Sequence, residues 1–282
     1  MSIFSLEDMQ VAYQDSGQGT PIILAHCSCA SSKEWSFLNS AMAPAYRMLA
    51  PDLLGYGKSS AWPVSDELPR ATDVDVIEAI IERVGVPVHL VGHSYGGRVC
   101  LEVARRHAQR GSDSIRSLFL IEPVAFYLLN SRTHQPVWQE ISRLGRRCIA
   151  ACENGQNKKA ARIFMSYWIG ALKWYLSSKR LRAEVSRTIP KVAYEFRQMF
   201  KYPYSAEDYS VIHCPVSLVY GAQSRRPAIA VIEVLQTVLA EVEITKIPAA
   251  GHMSPYSHKQ VLTGLLQAHL TKWSRPGLSK LA

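Results

Sequence analysis

Short apolar runs bounded by turn residues recur along the chain at 21–25, 46–50, 86–91, 115–121, 214–220 and 242–247. Their brevity and their lack of polar alternation predict strands buried on both faces. Between them, 74–84, 98–110 and 229–239 carry apolar residues at helical spacing, so strand and helix alternate as in a mainly parallel sheet flanked by helices. Residues 5–14 predict an antiparallel edge hairpin. The alternation lapses at about 124–209, where Trp138, Ile141, Leu144, Ile149, Phe164, Tyr167, Trp168, Leu172, Trp174, Tyr175 and Leu176 lie among basic residues. This reads as a helical insertion, 124–209, between core segments 1–123 and 210–282. Its aromatic side chains are candidates for the roof of an apolar pocket.

Residues 88–97, Val-His-Leu-Val-Gly-His-Ser-Tyr-Gly-Gly, pass from a strand-like run into a helical one through a tight turn. Gly92 and Gly96 lack the Cβ atoms that would collide with neighbouring chain when Ser94 takes a strained bend, and the bend lifts Ser94 Oγ clear of the backbone. Val99, Cys100, Val103, Ala104 and His107 fall at helical spacing, so a helix starting near Tyr95 would aim its first amides at the same point. Glu122 and His252 also follow predicted strands, and strand ends gather the ligands of open sheets. With Ala-Gly-His-Met at 250–253 and Asp-Leu-Leu-Gly-Tyr-Gly-Lys-Ser at 52–59, the turn resembles the α/β-hydrolase superfamily in the expected order over nearly the whole chain. The resemblance implies the α/β-hydrolase fold, with a mainly parallel central sheet, a helical cap made by the insertion, and serine hydrolase chemistry.

A serine hydroxyl needs a base to take its proton during attack, and His252, in a loop freed by Gly251, is the candidate. His93 sits in the turn with its side chain directed away from Ser94, His26 belongs to an early loop, and His89, His107, His134, His213, His258 and His269 read as packed or solvent-facing. Two backbone donors are expected for the oxyanion. Tyr95 N–H is one; the other is sought in His-Cys-Ser-Cys-Ala at 26–30, similar to the family's His-Gly-x loop with Cys27 in the glycine position. Matching that pattern selects Ser28 N–H, with Cys27 N–H as competitor. The family's commonest acid is an aspartate shortly after the seventh strand, where this chain has Ser224. Some members carry the acid after the sixth, which points to Glu122, with Asp208 a distant third option. Asp52 reads as a structural acceptor of backbone hydrogen bonds.

The 282 residues are 48% hydrophobic, enough for a substantial core, and carry a formal net charge of +9. Much of the excess lies in Arg146, Arg147, Lys158, Lys159, Arg162, Lys173, Lys179, Arg180, Arg182 and Arg187, which alternate with apolar residues as on a solvated helix face. No nucleic-acid reading module accompanies them, so nucleic acid is not an expected partner. No secretory signal and no bilayer-spanning run is visible. The six cysteines are scattered and expected as free thiols in the cytoplasm. Neither Cys27 with Cys29 nor Cys148 with Cys152 has the further ligands of a zinc site, and no cofactor is expected. The first functional expectation is a carboxylesterase acting on small or medium apolar esters. A carbon–carbon bond hydrolase of the same fold comes second, and a capped-pocket ligand receptor with little turnover is the rival from outside enzymology.

Overall fold

The computed structural model of the protein describes residues 1–62 and 71–273; positions 63–70 and 274–282 of the expected core lie outside the described residues. Eight strands form one sheet: β1 (Ser2–Leu6), β2 (Met9–Ser16), β3 (Thr20–Ala25), β4 (Tyr46–Pro51), β5 (Val88–His93), β6 (Ile115–Ile121), β7 (Val216–Gly221) and β8 (Val242–Ile247), in the order β1-β2-β4-β3-β5-β6-β7-β8. The β1–β2 hairpin turns at Glu7, whose φ is 52°, and β2 runs antiparallel to β4. All other pairings are parallel. Two strands begin later than the apolar runs suggest, because Pro87 and Pro215 have no amide hydrogen for a ladder; Val86, ahead of Pro87, is 52% exposed.

The helices are α1 (Asn39–Met42), α2 (Asp73–Val84), α3 (Tyr95–Gln109), α4 (Gln135–Glu153), α5 (Asn157–Ile169), α6 (Ala171–Tyr175), α7 (Lys179–Lys201), α8 (Arg226–Val238), α9 (Ser254–Ser257) and α10 (Lys259–Trp273). Thr72 and Asp75 form a reciprocal capping box that starts α2, and Gly85 at φ 68° ends it. Successive strand residues feed opposite core layers. Ile23, Leu49, Leu90 and Leu118 pack with residues of α2 and α3 such as Ile77 and Val103. Ile22, Leu24, Val91 and Phe119 pack with Trp35 and with Leu262, Leu266 and Leu270 of α10. This two-sided burial is the reason the strands read as unbroken apolar runs.

Between β6 and β7 the chain runs through α4 to α7. Their basic residues named above are exposed, apart from half-buried Arg182, so that charge does face solvent. The aromatic stripe divides. Phe164 and Trp174 are buried, whereas Leu172, Tyr175 and Leu176 are 71%, 75% and 71% exposed, because α6 is one short turn-and-a-half helix with a single inward face. Among the described residues no helix is long and apolar enough to cross a membrane.

Candidate active site

The adjacent carboxyl ends of β5, β6 and β7 bring the singled-out residues together. His93 pairs in register with Ile121, and Ile121 with Val219, so Ser94 and Glu122 emerge side by side. Ser94 has φ 54° and ψ −116°, a conformation costing about 1–3 kcal/mol that only the surrounding framework sustains. Its N–H donates to Ile121 O at 2.9 Å, and its carbonyl accepts from Arg98 and Val124 N–H at 3.1 and 3.2 Å. The glycines permit the close approach: a Cβ on Gly92 would stand 2.6 Å from Gly96 O, and one on Gly96 2.2 Å from Ala25 O.

His252 reaches over the sheet edge from the loop after β8. Its Nε2 lies 2.9 Å from Ser94 Oγ and its Nδ1 2.7 Å from Glu122 Oε2. An ionised carboxylate only accepts, so Nδ1 carries the hydrogen and Nε2 is left to accept from the serine. Glu122, itself at φ 44°, accepts further hydrogen bonds on Oε1 from Gly221 N–H at 2.8 Å and from the Ser224 hydroxyl. Burial alone would push this carboxyl up, but the bonds from His252, Ser224 and Gly221 hold it below the usual carboxylate range. Burial pushes the His252 imidazole below its ordinary value against the pull of Glu122, leaving it neutral at pH 7. Asp208 instead closes a local turn with Ser205 N–H at 2.7 Å.

Tyr95 is the first residue of α3, where amides have no acceptor within the helix. Ser28 and Tyr95 share with Ser94 the lining of an inner cavity of about 40 Å³. The competing Cys27 N–H is engaged by Glu34 Oε2 at 2.8 Å. His26, kept neutral by burial, fixes this loop: its Nδ1 donates to Cys27 O at 2.7 Å and its Nε2 accepts from Leu53 N–H at 2.9 Å. Asp52 takes the amides of Ser32 and Lys58 at 2.7 and 2.8 Å, so its carboxylate braces two loops.

Three features escape the sequence. Glu34 and His93 form a buried ion pair at 2.5 Å, and His93 Nε2 donates to His252 O at 2.9 Å, bracing the loop that carries His252. Burial opposes charge on both, yet their contact prevails, raising His93 and lowering Glu34 from their ordinary values. Cys27, Glu34 and His93 also bring potential metal-ligating atoms within 4.8 Å of one another, a grouping that no local spacing announces; the hydrogen bonds of Glu34 to the other two residues account for their convergence. Finally, Trp168 of α5 stacks on His252 with ring centres 4.0 Å apart and planes at 25°. Trp168 belongs to the wall of the inner cavity and to that of an outer one of about 520 Å³, which includes Gln223, Arg225 and His252. Pairwise contacts across 59, 159 and 84 positions leave no periodic signature in a single chain, although the last joins two residues already singled out.

Residues 22–263 match the alpha/beta hydrolase family. The chain is 32% identical over 100 residues to a 2-hydroxymuconate semialdehyde hydrolase of Pseudomonas sp., an alignment covering 34% of this chain and 35% of that protein. The chain thus spans about a third of the length of this curated relative. Among solved structures it resembles a thermophilic esterase from Thermogutta terrifontis, with a TM-score of 0.72, 19% identity and 94% of each chain covered. It also resembles an alpha/beta hydrolase enzyme from a Medee basin deep-sea metagenome library, with a TM-score of 0.77, 18% identity and 98% of each chain covered. The chain belongs to the alpha/beta hydrolase family and has its fold.

Proposed function

We propose that this protein is a serine hydrolase, a carboxylesterase acting on small or medium apolar esters. The observation that carries the reading is the unbroken hydrogen-bonded line Ser94–His252–Glu122 at 2.9 and 2.7 Å, opening on a cavity that Ser94 itself lines. Ser94 Oγ attacks the ester carbonyl while its proton passes to His252 Nε2, and Glu122 stabilises the imidazolium so formed. The tetrahedral oxyanion is held by Tyr95 N–H and Ser28 N–H. Collapse expels the alcohol, which takes the proton from His252. Water then attacks the acyl-enzyme with His252 again as base, releasing the acid and restoring Ser94. No step calls for a metal or a cofactor.

Residues 124–209 serve as the cap over this site, and the small-molecule substrate enters beneath it. Six free cysteines are consistent with a reducing compartment, the cytoplasm. A second reading, hydrolysis of a carbon–carbon bond in a β-diketone-like substrate, draws support from the curated relative, because a semialdehyde of a dicarboxylic acid contains no ester to cleave. The receptor reading rests on the missing acid at Ser224; the hydrogen bond of Glu122 to His252 supports turnover instead. Sustained release from a chromogenic short-chain ester, lost in Ser94→Ala, is the expected result. A burst of one acyl equivalent without turnover would favour a receptor, and cleavage of a β-diketone without ester turnover would favour the second reading.

A further inference from the structure

Arg98 lies one helical turn beyond Ser94, and both line the inner cavity. Its guanidinium is charged at every accessible pH. Nevertheless its buried Nε has no hydrogen-bond partner, and among the described residues no carboxylate forms an ion pair with it. Facing it are the rings of Tyr95 and Tyr202, at 5.1 and 5.4 Å from the guanidinium carbon, which offset only part of the lost hydration. Its neighbours on α3 are treated differently: Arg105 makes two bonds to Glu102 at 2.9 and 2.7 Å, and Arg106 reaches Glu102 and Asp75. Buried Lys191 likewise has Asp73 at 2.7 Å.

The one carboxyl in the same cavity does not complement Arg98. Glu195 spends its two oxygens on the Ser28 hydroxyl at 2.7 Å and the Tyr56 hydroxyl at 2.6 Å. Burial lifts it to about 7, so it is only partly ionised at neutral pH. A half-buried cation with a buried, unpartnered Nε and no carboxylate against it, set beside apolar walls that include Phe164 and Val192, is a site suited to a carboxylate from outside the chain.

We infer that Arg98 anchors a carboxylate subsite, and that the substrate is an ester whose acyl half is a short dicarboxylic acid, with its free carboxylate on Arg98 and its ester carbonyl at Ser94. This rests on the Ser94 esterase chemistry proposed above and replaces its apolar acyl half by an anionic one. Ser94 and Arg98 line the same inner cavity one helical turn apart, which sets the acyl half as a short chain, and the alcohol departs toward the outer cavity past Trp168. Hydrolysis consumes one water and yields the dicarboxylate and the alcohol.

Two measurements on the full chain separate this inference from the esterase reading. The first is calorimetric titration with glutarate and with neutral pentanediol. Glutarate binds and the diol does not; Arg98→Met weakens glutarate at least tenfold, and Arg98→Lys weakens it less. The second is the ratio of kcat/KM for an aryl hemiglutarate to that for the corresponding aryl valerate, expected at ten or more and falling toward one in Arg98→Met. Arg98-dependent glutarate binding without turnover of either ester would uphold the subsite and defeat the esterase reading. Ester turnover with a ratio near one, or glutarate binding that is absent or unchanged in both variants, would overturn the subsite. Should Arg98→Met fail to fold, Arg98→Lys and the glutarate–diol contrast in the unaltered protein still decide.

Discussion

Ser224 donates its hydroxyl hydrogen to Oε1 of Glu122, the carboxyl whose other oxygen engages His252. The position at which the sequence resemblance leads one to expect an acid thus supports the carboxyl proposed for that role, which follows the neighbouring strand. Glu122→Gln keeps the shape but removes the charge that stabilises the imidazolium, and a loss in kcat of about 10²–10⁴ is expected. Ser224→Ala removes one charge-assisted hydrogen bond among several and should cost about tenfold or less. Steady-state kinetics on the same ester check both. A large loss confined to Ser224→Ala would displace Glu122 from its role.

The acid limb of the pH profile follows from His252. Protonated, it cannot accept the proton of Ser94; burial disfavours that protonated form, so lower pH is needed to reach it. The profile of kcat/KM should therefore bend below the ordinary histidine value of about 6.5. A bend above that value would contradict the neutral, buried imidazole.

Glu34 and His93 stabilise the fold in a defined pH window. The raised His93 contributes fully below its unfolded value and loses this as pH climbs through its folded one; the lowered Glu34 contributes fully above its unfolded value and loses this as pH falls through its folded one. The pair is worth most between about pH 4.3 and 6.5. Glu34→Gln breaks it from one side and should cost about 3–5 kcal/mol. Urea unfolding of both proteins across pH is the check, and a midpoint unchanged by the substitution is the adverse outcome.

Trp168 lines both cavities while stacked on His252. Trp168→Ala should join the inner space to the outer one, improving kcat/KM for longer acyl chains relative to acetate while lowering kcat for acetate through a looser imidazole. A chain-length series of aryl esters reads this directly. An unaltered preference would mean that Trp168 does not limit the acyl site.

Much of the fold was legible because strands covered on both faces and amphipathic helices impose different periods on the chain. The offsets at Pro87 and Pro215 reflect backbone hydrogen bonding, which hydropathy does not register. Ser94 was visible because its bend requires glycines at fixed positions, and Glu122 because it directly follows an apolar run. Glu34, Glu195 and the unpartnered Arg98 were not, since each matters through contacts with residues remote in sequence. Of the residues read as a possible pocket roof, Phe164, Tyr167 and Trp168 line cavities while Leu172, Tyr175 and Leu176 face solvent, because aromatic and aliphatic content on a helix as short as α6 does not say which side faces inward.

Ser94 is the nucleophile proposed to carry the acyl group. Labelling with a fluorophosphonate, followed by tandem mass spectrometry and assay of residual ester turnover, tests it most directly. One equivalent of label per chain on Ser94, loss of turnover in proportion to labelling, and slow labelling in His252→Gln are expected. Stoichiometric label on Ser94 with turnover intact, or label confined to another residue as activity disappears, would contradict it.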